Sequence, residues 1–470
     1  MAYLYTLYQA IDNLNSLQKL WPEIIIAGLL VFAIVGESAS RSIPSIASGV
    51  GAIIWLGLIA AGGSTYWSMP SLASGIQEQV LFNGLLAWTP LVTFFRFVSI
   101  SAAGLTLWAM RIQEGAVSLV RWAFVLSTLL AAHLLVMATH WLMVHLSLGL
   151  LSLATALLIY SPHSAVRSIA SLQYLLYSTA VLALMLWSVS FLYGFGHDLS
   201  FAAWTAVVTH SAVASSWLYV GVLCLLSGVL FTVAAFPYHF WVSDAYAAAP
   251  PTAVAYLATV PKLAGIACLL RLCVSMSPSV GSPSMLQAQH LMAFITLVTI
   301  VVGNVKALAQ REALRLMAYA AVSQGGLLMA GVVACPADCV GLLYYGVAYS
   351  IGSFAALLSM QWLTQLTGQQ LISGYVGVGR QFPLPGICLV VAMISLVGLP
   401  PTPGFIGKFL ILCTLWEKAV HSQSPVFGSL FVVSMLSTVA SLYYYLKIPY
   451  SLFSQSAAPP TLTLSARHKM

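Results

Sequence analysis

Residues 394–412 read ISLVGLPPTPGFIGKFLIL, and residues 250–270 read PPTAVAYLATVPKLAGIACLL. Each is an apolar run interrupted by prolines, and each holds one amine, Lys408 in the first and Lys262 in the second. Neither run contains an acidic residue. A lysine in the hydrocarbon region of a bilayer costs about 2.5–3.5 kcal/mol on insertion scales, so its default reading is functional. The proline breaks free backbone polar groups at the same depth, which is tolerated only where protein or a water-filled cavity surrounds them. Together these features predict an ion or proton path through a membrane protein.

Composition places the rest of the chain in the membrane too. Of 470 residues, 60% are hydrophobic and only 6% charged, with a mean hydropathy of +0.96. A soluble domain carries about 25% charged residues. Apolar runs long enough to cross a core of about 30 Å recur from end to end and leave no room for a soluble domain. The net charge of +7 therefore reads as loop topology and not as a nucleic-acid footprint. The seven cysteines are scattered singly, without a CxxC pair or a Cys/His cluster, so neither a disulfide framework nor a metal site is expected. Residues 1–19 are mixed and polar, so the first apolar run is expected to be a retained helix and not a cleaved signal.

The expected fold class is an all-α polytopic membrane protein with about thirteen spans. Their limits are 20–37, 42–62, 88–110, 117–137, 139–160, 171–194, 216–240, 253–275, 287–309, 313–334, 338–365, 384–414 and 426–448, with 63–87 and 195–215 as the longest loops. The twelfth run is too long for one straight helix, and GLPPTPG in its middle predicts a discontinuous one. With the N-terminus outside, loops after odd-numbered helices and their edges carry Arg41, Arg111, Arg167, Lys306, Arg311, Arg315, Arg380 and Lys447, and the tail adds Arg467 and Lys469. The other side holds little beyond Lys19, Arg271 and Lys418. This asymmetry satisfies the positive-inside rule.

Three stretches are specific when taken jointly. They are FPYHFWVSDAYAAAPPTAVAYLATVPKLAGIACLLRL at 236–272, SLVGLPPTPGFIGKFLIL at 395–412, and GNVKALAQREALRLMAYAAVSQGG at 303–326. They resemble subunit N of bacterial NADH–quinone oxidoreductase, equivalent to subunit 2 of mitochondrial respiratory complex I. The likeness runs from LWPEIIIAGLLVFAIVGE to SLYYYLK near Lys447, nearly the whole chain. The resemblance implies an antiporter-like, proton-translocating subunit with two five-helix repeats of inverted topology. On that plan, 1–110 is an N-terminal three-helix segment, 117–275 and 287–448 are the repeats, and 449–470 is a polar tail. Electrons would never enter the subunit. It would bind no cofactor, since NADH, FMN, iron–sulfur clusters and quinone are handled by other subunits. Its partners would be those peripheral and membrane-arm subunits, the lipid bilayer and protons, with no nucleic acid. A bacterial plasma membrane is the expected location, and a mitochondrial inner membrane also fits. The full N-terminal extension favours a bacterial or protist form.

Carried over by position, Lys262 matches the lysine of helix eight and Lys408 that of helix twelve, the alternative for each being a lysine snorkelling to the interface. His239 in FPYHFW matches a histidine at the cytoplasmic end of helix seven, with either a packing or a proton role. Asp244 matches a loop aspartate, the alternative being a cap of the next segment, and Pro400 and Pro401 form the helix break. Three family charges are replaced here: a helix-seven lysine by Thr232, a helix-five glutamate by Gly149 and a helix-six lysine by Gln173. Losing one member of a coupled glutamate–lysine pair strands a buried charge at about 3–5 kcal/mol, whereas losing both is far cheaper. Thr232 and Gly149 are thus expected to be one correlated change. His145, four residues before Gly149 on the same helical face, and His133 in helix four are candidate proton relays, or else neutral hydrogen-bonded core histidines. Arg96 in helix three reads better as a packed or snorkelling arginine. The family's fourteenth helix has no counterpart in SQSAAPPTLTLSARHKM. Two rival readings are a free-standing cation/proton antiporter of the same superfamily and a non-pumping scaffold of the membrane arm.

Overall fold

The computed structural model describes residues 16–41, 45–67, 79–114, 118–210, 216–275, 283–334 and 339–454. Apart from one short hairpin, the described elements are helices. In chain order they are α1 (Trp21–Ser40), α2 (Ser45–Trp67), β1 (Gln79–Leu81), β2 (Leu86–Trp88), α3 (Pro90–Glu114), α4 (Leu119–Met137), α5 (Trp141–Ile159), α6 (Ala165–Gly196), α7 (Phe201–His210), α8 (Ser216–Val233), α9 (Trp241–Ala248), α10 (Pro251–Leu257), α11 (Val260–Ser275), α12 (Pro283–Ala309), α13 (Ala313–Ala334), α14 (Val340–Thr367), α15 (Pro383–Val397), α16 (Pro403–Ser422) and α17 (Pro425–Phe453). Among the described residues, eleven stretches are long and apolar enough to cross a membrane, and two shorter apolar helices, Val220–Val233 and Pro383–Val397, supplement them. Prolines at the first or second position start α1, α10, α15, α16 and α17, where the missing N–H is an orphan anyway.

The chain folds into two compact units. The first comprises residues 1–163, 171–232 and 263–279, the second 164–170, 233–262 and 280–470. In the first, α1 packs on α2 and α4, α3 on α2 and α4, and α4 on α5. β1 and β2 pair antiparallel with Val80 opposite Ala87. In the second, α12 packs on α13 and α17, α14 on α15 and α16, and α13 on α16. Every residue of α13 from Leu316 to Ala334 is buried except Tyr319. Helices such as α2 instead turn Ile53, Leu56 and Ile59 outward, the disposition of a lipid-facing stripe.

Five stretches depart from the sequence reading. The seventh run ends at Val233 and not near 240, because Ala234 takes a left-handed φ of 66° that no helix continues. The eighth run is two helices, α10 and α11, with the break at Ala258–Thr259. The stretch 195–215 is not all loop, since α7 lies within it, and 63–87 includes the end of α2 and the hairpin's first strand. The last helix runs on to Phe453 with Pro449 inside it. The remainder of the polar tail, 455–470, and residues 68–78 fall outside the described residues.

Candidate functional site

Both lysines are buried, Lys262 at 2% exposure and Lys408 at 3%. Neither snorkels to the surface. The twelfth run breaks as predicted, with α15 ending at Gly398, whose φ of +84° suits only a residue without Cβ. The chain then passes Pro400 and Pro401 before α16 begins at Pro403. Gly404 crosses so close to α15 that a Cβ there would lie 1.8 Å from the Ser395 carbonyl oxygen. The last carbonyls of a helix have no intrahelical donor. Lys408, six residues into α16, supplies one: its Nζ donates to Leu396 O at 2.8 Å and Val397 O at 2.9 Å. The negative end of the α15 dipole adds to that attraction. Two carbonyl oxygens at the end of α15 thus take the place of the missing counter-carboxylate.

Lys262 is the third residue of α11, not the middle of a long helix as expected. Its Nζ donates to Ala321 O in α13 at 2.6 Å and to Tyr349 Oη in α14 at 3.4 Å, and lies 5.6 Å from the centre of the Tyr349 ring. Tyr349 neighbours Tyr345, ring centroids 6.5 Å apart. The Tyr345 hydroxyl donates to Gln324 Oε1 on α13. Gln324 Nε2 in turn donates to Leu396 O at 3.2 Å, the carbonyl that also accepts from Lys408. Two buried amines are therefore bridged by an amide, two phenols and one carbonyl, the step between the phenols being a ring contact and not a hydrogen bond. Alongside, Asn304 Nδ2 donates to Ser323 Oγ at 2.8 Å and Ser437 Oγ at 2.7 Å, and Tyr444 donates to Asn304 Oδ1 at 3.2 Å.

His239 is buried and takes part in a second amine contact, with Lys306 Nζ donating to its Nε2 at 2.9 Å. Burial and the nearby Lys306 charge push the imidazole down to about 4, so it stays neutral and accepts. Asp244 is corrected from a loop cap. It lies in the first turn of α9, exposed, and α10 has no side-chain cap.

The first unit arranges its charges differently. His133 is buried and hydrogen-bonded, Nδ1 to Glu23 Oε1 at 3.0 Å and Nε2 to Ser99 Oγ at 2.9 Å. Glu23 in turn accepts from Arg96 Nε and Nη2, both at 2.8 Å. Arg96 is thus packed, as expected, at 1% exposure, but its carboxylate partner was not foreseen. His145 is half-buried, with a buried Nδ1 that has no partner among the described residues. Thr232 turns its hydroxyl back to Gly228 O at 2.9 Å, Gln173 is exposed, and a Cβ on Gly149 would meet nothing within 4 Å. Among the described residues, no three His, Cys, Asp or Glu side chains lie together as metal ligands would.

Residues 138–420 match the family model described as NADH:quinone oxidoreductase/Mrp antiporter, TM. The chain belongs to this family. NADH-quinone oxidoreductase subunit N 2 of Chloroherpeton thalassium is 32% identical over 446 residues, covering 92% of this chain and 84% of that protein. Subunit N of Granulibacter bethesdensis is 30% identical over 451 residues, covering 93% and 89%. Among solved structures, a chain of respiratory complex I from Thermus thermophilus with bound aureothin superposes with a TM-score of 0.73 at 25% identity, over 93% of this chain and 91% of that one. A chain of the Mrp complex from Dietzia sp. shares the fold, with a TM-score of 0.74 at 18% identity over 94% and 81%. At Lys408 the broken helix presents free carbonyls in the interior, where an amine can use them, whereas Lys262 uses a carbonyl within the continuous α13. Sequence reasoning missed Gln324, Tyr345, Tyr349, Asn304 and Glu23 as polar members of these sites. For Gln324 and Asn304 the signal was present, since both are amides within apolar spans.

Proposed function

We propose that the chain is the antiporter-like membrane-arm subunit of an NADH–quinone oxidoreductase and that Lys262 and Lys408 carry protons across part of the membrane. Electron transfer from NADH to quinone takes place in other subunits, and this chain holds no redox centre. The observation that carries the reading is the buried sequence Lys262–Tyr349–Tyr345–Gln324–Leu396 O–Lys408 in the second unit. An amine that loses its proton here keeps two N–H donors but loses the charge that draws it to the oxygens, so the strength of each lysine's bonds depends on its charge. Gln324 does not titrate; it holds Tyr345 and the shared carbonyl in register. The phenols donate and accept and so offer exchangeable protons between the amines. The repeats are 117–275 and 287–448, with 1–110 a three-helix preface. His239 belongs to the proton path as a neutral acceptor for Lys306.

The test is proton pumping by assembled complexes carrying Lys262→Ala or Lys408→Ala. Pumping falls at least about tenfold, the loss of a general acid–base group, while assembly measured on native gels changes little. Normal pumping by an assembled Lys262→Ala complex would sink the role.

A scaffold reading applies only to part of the first repeat. Thr232 bonds only to its own helix and Gln173 faces outward, so neither of these replacements offers a buried titratable group. The part of the first repeat around Thr232, Gln173 and Gly149 then contributes structure, and Lys262 of the first repeat with Lys408 of the second does the pumping.

A further inference from the structure

We propose that Glu23, Arg96, His133 and Ser99 form a buried site that binds and releases one proton, separate from the two lysines. The argument is a count of hydrogens. Glu23 accepts three N–H bonds, two from Arg96 and one from His133 Nδ1, so Nδ1 carries a hydrogen whenever the carboxylate is ionised. The other ring nitrogen, Nε2, faces Ser99 Oγ at 2.9 Å. Ser99 has one hydroxyl hydrogen and three places to put it: Nε2, Phe95 O at 2.7 Å and Arg96 O at 3.0 Å. When the hydroxyl donates to Nε2, the histidine is neutral. When it turns to Phe95 O, its lone pair accepts from Nε2, and the ring is an imidazolium. Both states satisfy every polar atom of the histidine and serine, and they differ by one proton on Nε2 and one hydroxyl rotation. No heavy atom moves.

The surroundings support a site that exchanges protons and is not only a staple. Glu23 is 4% exposed, Arg96 1% and His133 2%, so each polar atom matters energetically. Arg96 Nη1 is buried and has no acceptor among the described residues, which leaves a donor for an internal water, the vehicle by which a proton reaches a closed site. The other charged groups near the cluster are Lys19, whose carbonyl accepts from Arg96 while its amine sits 4.5 Å above the Trp88 ring, and Arg271, which donates to Ala87 O and to Val136 O at the end of α4. Neither amine nor guanidinium contacts the imidazole. Glu23 lies at the start of α1, Arg96 in the second turn of α3 and His133 in the last turn or so of α4. The charge asymmetry of the loops assigns those three ends to the exterior, the side on which a translocated proton leaves.

The test uses the assembled complex and reads imidazole infrared bands as wild type minus His133→Gln, a measurement independent of pumping. A single histidine band titrates with pH. Ser99→Ala removes a hydrogen bond from both states, the one to the charged ring being the stronger, and moves the midpoint to lower pH by up to about one unit. Ser99→Thr, which keeps the hydroxyl, restores the wild-type midpoint. No titrating band, or the same midpoint in wild type and Ser99→Ala, would overturn the site. Either result leaves the lysine assignment standing, because that assignment is read in the pumping of Lys262→Ala.

Discussion

Two buried charge systems sit in this chain, and they are balanced by different means. In the first unit the cation Arg96 meets a carboxylate, Glu23, at 2.8 Å through two nitrogens. In the second unit Lys262 and Lys408 meet only carbonyls and a phenol. A bidentate ion pair fixes charge in place, because separating it leaves an uncompensated ion. Carbonyl dipoles hold an ammonium more weakly and let it go when it loses its proton. The same membrane cost is thus met once for anchoring and once for traffic.

The strongest blow to this contrast is Glu23→Ala. It leaves Arg96 without its counter-charge, at about 3–5 kcal/mol, and should remove most assembled complex, measured on native gels. The lysine-to-alanine variants, which leave no buried opposite charge behind, should assemble. If Glu23→Ala assembled normally while Lys408→Ala did not, the division between anchor and carrier would be reversed. Gln324→Leu comes next. It cuts the connection between the amines without touching either, and should slow pumping by roughly an order of magnitude, one tenfold step being about 1.4 kcal/mol. Unchanged pumping would show that the lysines work independently.

A smaller and sharper test restores what the first repeat has lost. Gly149→Glu with Thr232→Lys should be tolerated better than either change alone, because each single variant buries an unpaired charge. Room for the new side chain exists at Gly149. A rise in protons per electron in the double variant would give the region around Gly149 and Thr232 a pumping role, and no change would leave it structural. The mildest effect concerns His239. Its folded value of about 4 lies below the ordinary imidazole value, so the unfolded chain binds more protons between about pH 4 and 6.5, and stability falls as pH drops through that window. Thermal stability of the complex should be flat above that window. His239→Gln, which can still accept from Lys306, should flatten the acid slope as well.

Much of this was legible in the sequence because membrane insertion leaves coarse signals. Lys262 and Lys408 stand out in acid-free runs, and GLPPTPG announces a broken helix. The break at Ala258–Thr259 was missed, although Pro261 two residues on was a signal, because the apolar pattern continues unbroken across it. Glu23 was missed for another reason. Beside Pro22 it looks like an acid at the start of a helix, a stabilising position that needs no partner. Its partners lie 73 and 110 residues away, and no local periodicity joins them. The reading of Arg96 as packed was right about burial and silent about charge for that reason. Asp244 shows the reverse error: a match by position placed it in a loop, and it is exposed in the first turn of α9.

Gly404 sets a limit on how the second unit can move. Its Cα side faces Ser395 O so closely that no other residue could occupy the crossing. Sliding α16 back by one turn along α15 would bring Lys408 to that point, and its side chain could not occupy the crossing. A ratchet along the helix axis is therefore blocked. What remains is a swivel about the crossing, a short lever with Lys408 one turn out along its arm, so that a few degrees of tilt would suffice to lift the amine from its two carbonyls.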